Sequence, residues 1–131
     1  MGKAFEMTFT AQLGDIDVMG HVNNAVWVRW IQDIAVAHWY AVADPAHHEA
    51  YFWVVTRHEI DYRGNVKAGE TVTGETWVPN PPKGARFDRH VRFVGEDGAV
   101  RVEAKTTWAM LDRATGRLVR VRDDIAAPFV E

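Results

Sequence analysis

The 131-residue sequence has no cysteine. That excludes a disulfide scaffold, a thiolate zinc site, an iron–sulfur cluster and a cysteine nucleophile. It agrees with a reducing compartment, so a cytoplasmic location is the expectation. Excess positive charge is also missing, since 15 basic residues against 18 acidic ones give a formal net charge of −3. A nucleic-acid partner is therefore not expected, although a local basic patch can still hold a phosphorylated ligand. Long apolar runs are absent as well. The most apolar stretch, 25–42, is broken by Arg29, Gln32, Asp33 and His38, and Met1-Gly2-Lys3 leads into alternation instead of a signal-peptide core, so no membrane partner is expected. What remains is an ordinary globular composition, 47% apolar and 25% charged. A chain of this length buries about two-thirds of the surface its unfolded form exposes, and one domain over residues 1–131 is expected.

Phe5, Met7, Phe9, Ala11 and Leu13 alternate with polar residues, the period of a half-buried strand. The stretch from Gly14 to Asn24 is rich in turn formers and stops abruptly at an apolar segment, as a loop ending in a helix cap does. From Ala25 to about Tyr40, Trp27, Trp30, Ile31, Ile34, Ala35 and His38 share one face, and Arg29, Gln32 and Asp33 occupy a narrow opposite one. The later segments read as strands: Phe52 to Tyr62, with Val54, Thr56, His58, Ile60 and Tyr62 on one side; Glu70 to Val78; Arg86 to Val94; a long one carrying Val100, Val102, Ala104, Thr106, Trp108 and Met110 on one side; and a short last one, Arg117 to Val121. Pro79-Asn80-Pro81-Pro82-Lys83-Gly84 is a rigid connector. One long apolar helix among strands predicts an α+β fold in which a helix and a curved, mainly antiparallel sheet of five or six strands cover each other.

The densest cluster of reactive side chains is the loop from Asp15 to Asn24. Two carboxylates, a glycine, a histidine and two asparagines stand just before a helix N-terminus, whose free N–H groups and dipole favour an oxyanion. Turns and N-caps prefer Asp and Asn in any case, so residue type alone leaves a structural explanation open.

The run Gly14-Asp15-Ile16-Asp17-Val18-Met19-Gly20-His21-Val22-Asn23-Asn24-Ala25, between a first strand and a long helix, resembles the signature of hotdog-fold acyl-CoA thioesterases of the 4-hydroxybenzoyl-CoA thioesterase type. Ile60-Asp61-Tyr62, Gly69-Glu70-Thr71-Val72, Arg86-Phe87 and the closing strands around Trp108 and Arg117 follow in the family's order. The resemblance implies a long central helix wrapped by the sheet, and thioester hydrolysis without a cofactor or metal, coenzyme A being part of the substrate. It implies that Asp17 attacks the thioester or activates water, that a backbone N–H at about Asn24 or Ala25 binds the oxyanion, and that Asp15 supports the loop. Gly20 lets the loop approach the substrate, and His21 either bonds to the substrate or braces the loop. Many relatives carry Tyr where this chain has Trp27, which reads as core or pocket wall. Lys83 and Arg86 match the region that binds the nucleotide in relatives, with Arg89, Arg117 and Arg122 as further candidates. A homodimer or homotetramer is implied too, because relatives build the groove between subunits and the helix is very apolar.

Other readings compete less well. His47-His48-Glu49 invites a metal, but adjacent histidines point apart and no second ligand pair sits at the right spacing. Acyl hydration or dehydration wants a His paired with a carboxylate near the helix, and His38 with Asp33 is off-register. An acyl-carrier-protein thioesterase and a non-catalytic acyl-CoA binding protein remain alternatives. Trp27, Trp30, Phe52 and Trp53 suit an aryl or branched acyl group, and packing explains them equally.

Overall fold

A computed structural model describes residues 3–130. Strands β1 (Phe5–Thr10), β2 (Tyr51–Tyr62), β3 (Thr71–Trp77), β4 (Arg86–Gly95) and β5 (Val100–Asp112) form one curved antiparallel sheet in the order β1-β3-β4-β5-β2. Because β1 and β2 are opposite edges of that sheet, the chain joining them must cross it. The crossing is made by α1 (Asn24–Val42) and a short α2 (Pro45–Ala50), with α3 (Asp123–Val130) closing the described chain. This is the helix-in-sheet arrangement of a hotdog fold. No helix among the described residues is long and apolar enough to cross a membrane.

The apolar stripe on α1 places Trp27, Trp30, Ile31 and Ile34 against the sheet, all nearly inaccessible. Trp30 stacks on Phe9 of β1 with centroids 5.3 Å apart, and Trp27 packs on Phe93 of β4 at 5.2 Å. Gly74 of β3 lets the helix come this close: a Cβ there would lie 3.0 Å from Ile34 Cδ1 and from Phe93 Cε1. The chain's own sheet thus covers the helix, so its apolarity does not by itself call for a partner subunit.

Several expectations need correction. Strand β1 ends at Thr10, and Leu13 opens a 3₁₀ turn (Leu13–Asp15) with its side chain 85% exposed. Strand β2 keeps no single alternation, because a bulge lies between Val55 and Arg57. The extra residue shifts the pleat, so Val55 pairs with Trp108, His58 pairs with Thr106, and Val54 is exposed although His58 and Ile60 are not. The segment 117–121 makes only an isolated bridge, Leu118 to Leu111, in place of a strand. Neither α2 nor α3 was anticipated. Asp44 caps α2 by accepting from the Ala46 N–H at 2.9 Å, with Pro45 in the first turn. Helix α3 buries Ile125, Ala126 and Phe129, and Phe129 stacks on Trp39 at 5.8 Å.

Candidate active site

Between β1 and α1 the loop is held by its own carboxylates. Asp15 is buried: Oδ2 accepts from the Gln12 N–H at 2.9 Å and Oδ1 from Arg29 Nη2 at 3.0 Å. The Gln12 N–H, with help from Arg29 against the cost of burial, holds its pKa below the usual carboxylate value. The Asp15 carbonyl also accepts from the Asn23 N–H at 2.9 Å, tying the start of the loop to the helix cap.

Asp17 sits at the other end of a tight turn. Its Oδ1 accepts from the Met19 N–H at 2.9 Å and the His21 N–H at 3.2 Å, and its N–H donates to the His21 carbonyl at 2.8 Å. Gly20 closes the turn with φ +81°, a conformation that side chains with a Cβ rarely adopt. One carboxylate oxygen is therefore pinned, and Oδ2 has no protein donor among the described residues. His21 is half-buried, and its ring makes no hydrogen bond among the described residues.

The helix begins beside this turn. Asn23 is the cap, its Oδ1 accepting from the Ala25 N–H at 2.9 Å, while its carbonyl accepts from the Val26 N–H. Ala25 is thereby occupied, and Asn24 offers the first helical N–H without a protein acceptor among the described residues. Of the two positions expected for an oxyanion donor, Asn24 is the open one.

The basic candidates separate. Lys83 and Arg86 face each other across a tight hairpin, each N–H donating to the other's carbonyl at 2.8 and 3.0 Å. Both are exposed, and neither has an acidic partner among the described residues. Arg117 is exposed, and Arg122 is spent on Asp124 at 3.2 Å. Arg89 does not belong with them: it is 8% exposed, with Nη1 donating to His38 Nδ1 at 2.7 Å and to Thr76 Oγ1 at 3.0 Å. Its guanidinium is interior, away from the exposed surface that carries Lys83 and Arg86. A charged residue at the inward register of β4, between Phe87 and Val91, was the signal for this placement. His47 pairs weakly with Asp124 at 3.7 Å, and His48 Nε2 bonds the Trp39 carbonyl at 3.2 Å, so the two rings diverge.

Sequence reasoning did not anticipate the cavity of about 190 Å³ under the C-terminal half of α1, with Ala35, Trp39, Trp53, Phe87, Trp108 and Phe129 in its wall. Ala35 lies three turns beyond Asn24, roughly 16 Å along the helix at about 1.5 Å per residue. This cavity is thus remote from the Asp17 turn.

A long helix carried across an antiparallel sheet, entered through a carboxylate turn that abuts the open helix N-terminus, defines a hotdog domain. Residues 11–129 match the profile of the Thioesterase-like superfamily, and the chain belongs to that family. An acyl-[acyl-carrier-protein] hydrolase from the chloroplast of Cuphea viscosissima is 27% identical over 78 residues, which is 60% of this chain and 19% of that protein. Among solved structures, an acyl-ACP thioesterase from Bacteroides thetaiotaomicron superposes with a TM-score of 0.83 at 21% identity, covering 98% of this chain and 54% of that one. A hypothetical protein from Staphylococcus aureus in complex with CoA gives 0.83 at 14% identity, covering 98% and 82%. At these identities the structural likeness is one of fold. The chain spans about a fifth of the Cuphea protein and about half of the Bacteroides chain.

Proposed function

We propose that this chain hydrolyses acyl-CoA thioesters to a free acid and coenzyme A. The observation that carries the reading is the Asp17 carboxylate, pinned through Oδ1 with Oδ2 free, on a turn leading directly to the unclaimed Asn24 N–H. Hydrolysis needs these two parts together: a carboxylate that deprotonates water or itself attacks the carbonyl, and a fixed donor for the charge that then develops on oxygen. With water as nucleophile, Oδ2 takes its proton and the hydroxyl adds to the thioester carbon. Asn24 N–H receives the oxyanion, the C–S bond breaks, and the proton passes to the departing thiolate. With Asp17 as nucleophile, Oδ2 adds to the thioester carbon, the C–S bond breaks as the thiolate leaves, and water then opens the resulting anhydride at the aspartyl carbon, its proton passing to the thiolate. A single turnover in ¹⁸O-water separates the two routes, because only the anhydride route leaves label in Asp17.

Asp15, locked between Gln12 and Arg29, positions the turn and does not react. Lys83, Arg86 and Arg117 are the cations left to receive coenzyme A phosphates. The CoA complex of the Staphylococcus aureus fold relative supports this carrier. The Cuphea match favours a second reading, an acyl-carrier-protein thioester at the same carboxylate.

A homodimer or homotetramer fits this reading. Leu13, Val18 and Met19 flank the turn with exposures of 85%, 101% and 74%, apolar surface that a second subunit would cover. Sedimentation at micromolar concentration is expected to show no folded monomer. A monodisperse, active monomer would contradict it.

The functional test is a hydrolysis screen over aryl, short-chain and long-chain acyl-CoA esters, repeated with acyl-carrier-protein esters. Turnover of at least one CoA ester supports the reading. Turnover of carrier-protein esters alone replaces the carrier, and saturable acyl-CoA binding with no turnover makes the chain a binding protein.

A further inference from the structure

We propose that the cavity beneath the C-terminal half of α1 binds a free apolar carboxylate, with Arg89 as its anion-binding donor. The site lies far along α1 from the Asp17 turn and does not depend on the hydrolytic reading.

Arg89 forms part of the cavity wall, yet it is more than nine-tenths buried. Both of its protein hydrogen bonds leave from one nitrogen, Nη1, and both acceptors are neutral. A guanidinium can only donate, so His38 Nδ1 is an acceptor and that ring carries no charge. Among the described residues no carboxylate lies within ion-pair distance of Arg89, and its Nε and Nη2 find no protein acceptor. Asp88, at the edge of the same cavity, is engaged elsewhere: Thr107 Oγ1 donates to its Oδ1 at 2.7 Å, and Lys105 Nζ stands 3.7 Å from its Oδ2. An interior charge without a counter-charge is costly, and the planar fork left open on Arg89 is shaped for two carboxylate oxygens.

An open guanidinium fork in the wall of a space calls for a ligand that brings acceptors. The rest of the wall, Trp39, Phe87 and Phe129 with Ala35, calls for that ligand to be apolar over its body. Arg113 stands at the cavity edge, its guanidinium 5.5 Å from the Phe52 ring centroid, and adds positive charge on the approach.

The test is calorimetric titration of the full chain with octanoate and with 1-octanol, its neutral counterpart. Octanoate is expected to bind saturably and about 30-fold more tightly than octanol, the worth of hydrogen bonds to a charged group. Arg89→Met should remove that preference. Should this variant fail to fold, Arg89→Lys serves instead, because it keeps the charge and removes the planar fork; it should weaken octanoate about five- to tenfold and leave octanol within about twofold. Equal affinity for acid and alcohol would overturn the proposal. So would octanoate binding that Arg89→Lys leaves unchanged, or no saturable binding up to about 10 mM.

Discussion

The two ends of α1 handle buried charge in opposite ways. At its N-terminal end Asp15 is buried beside the guanidinium of Arg29, and a second carboxylate, Asp17, is fixed by backbone N–H groups with one oxygen left over. At its C-terminal end Arg89 is buried against a neutral histidine and a threonine, within aromatic walls. The loop end balances its charges locally and leaves a nucleophilic oxygen open. The cavity end leaves a cation unbalanced. On the two proposals above, the carboxylate with an open oxygen turns a substrate over, whereas the cation without a counter-charge holds an anion.

Acid should separate the ends by the largest margin. Burial, with a smaller contribution from the Arg89 charge, pushes His38 down to about 4. Between the ordinary histidine value of about 6.5 and about 4, the unfolded chain takes up a proton at His38 that the folded chain refuses, so stability falls as pH falls through that window. Denaturant unfolding should show up to about 3 kcal/mol lost between pH 7 and pH 4. His58, lowered by burial, adds to the loss with the same sign. His38→Gln should remove most of the slope. Asp15 at the loop end behaves differently, because its lowered pKa keeps its contribution until the pH drops below the ordinary aspartate value of about 3.9.

The approach of helix to sheet between the two ends can be overpacked directly. Gly74→Ala puts a methyl 3.0 Å from Ile34 Cδ1 and 3.1 Å from Phe9 Cε1. It should cost about 1–2 kcal/mol by overpacking, read from the urea midpoint. At the loop end, Asn23→Ala removes the cap on the Ala25 N–H and should cost about 1 kcal/mol by the same measurement. The smallest effect belongs to the surface cations. Lys83→Ala and Arg86→Ala should each raise KM a few-fold and leave kcat unchanged, since a phosphate contact is the same in bound substrate and transition state. An acyl-pantetheine, which lacks the nucleotide, should not sense either change.

Legibility followed periodicity. Helix α1 and strands β3 and β4 stand out because each keeps one period over its length, whereas β5 keeps its period from Val102 to Thr106 and then buries Ala109 and Met110 together; the loop stands out because turn formers meet an apolar helix there. Leu13 misled because the alternation of β1 continues in the sequence for three residues after its hydrogen bonding stops at Thr10. The pleat of β2 was hidden because one inserted residue reverses every side chain beyond it, and nothing about Thr56 in isolation marks a bulge. The Asp44-Pro45 start of α2 was a readable signal. Residue type marks Arg89 as a surface cation, but its register between Phe87 and Val91 turns it inward. Which N–H at the helix start is free depends on where the Asn23 side chain points, and that emerges only in three dimensions.

The most direct measurement is steady-state hydrolysis of an accepted acyl-CoA by Asp17→Asn beside the parent chain, with folding of both checked by circular dichroism. Asparagine keeps an oxygen that accepts from the Met19 and His21 N–H groups, but it can neither take a proton nor attack a carbonyl at neutral pH. The variant should stay folded and lose about two to four orders of magnitude in kcat. A folded Asp17→Asn protein that hydrolyses every accepted substrate at the parental rate would contradict the account.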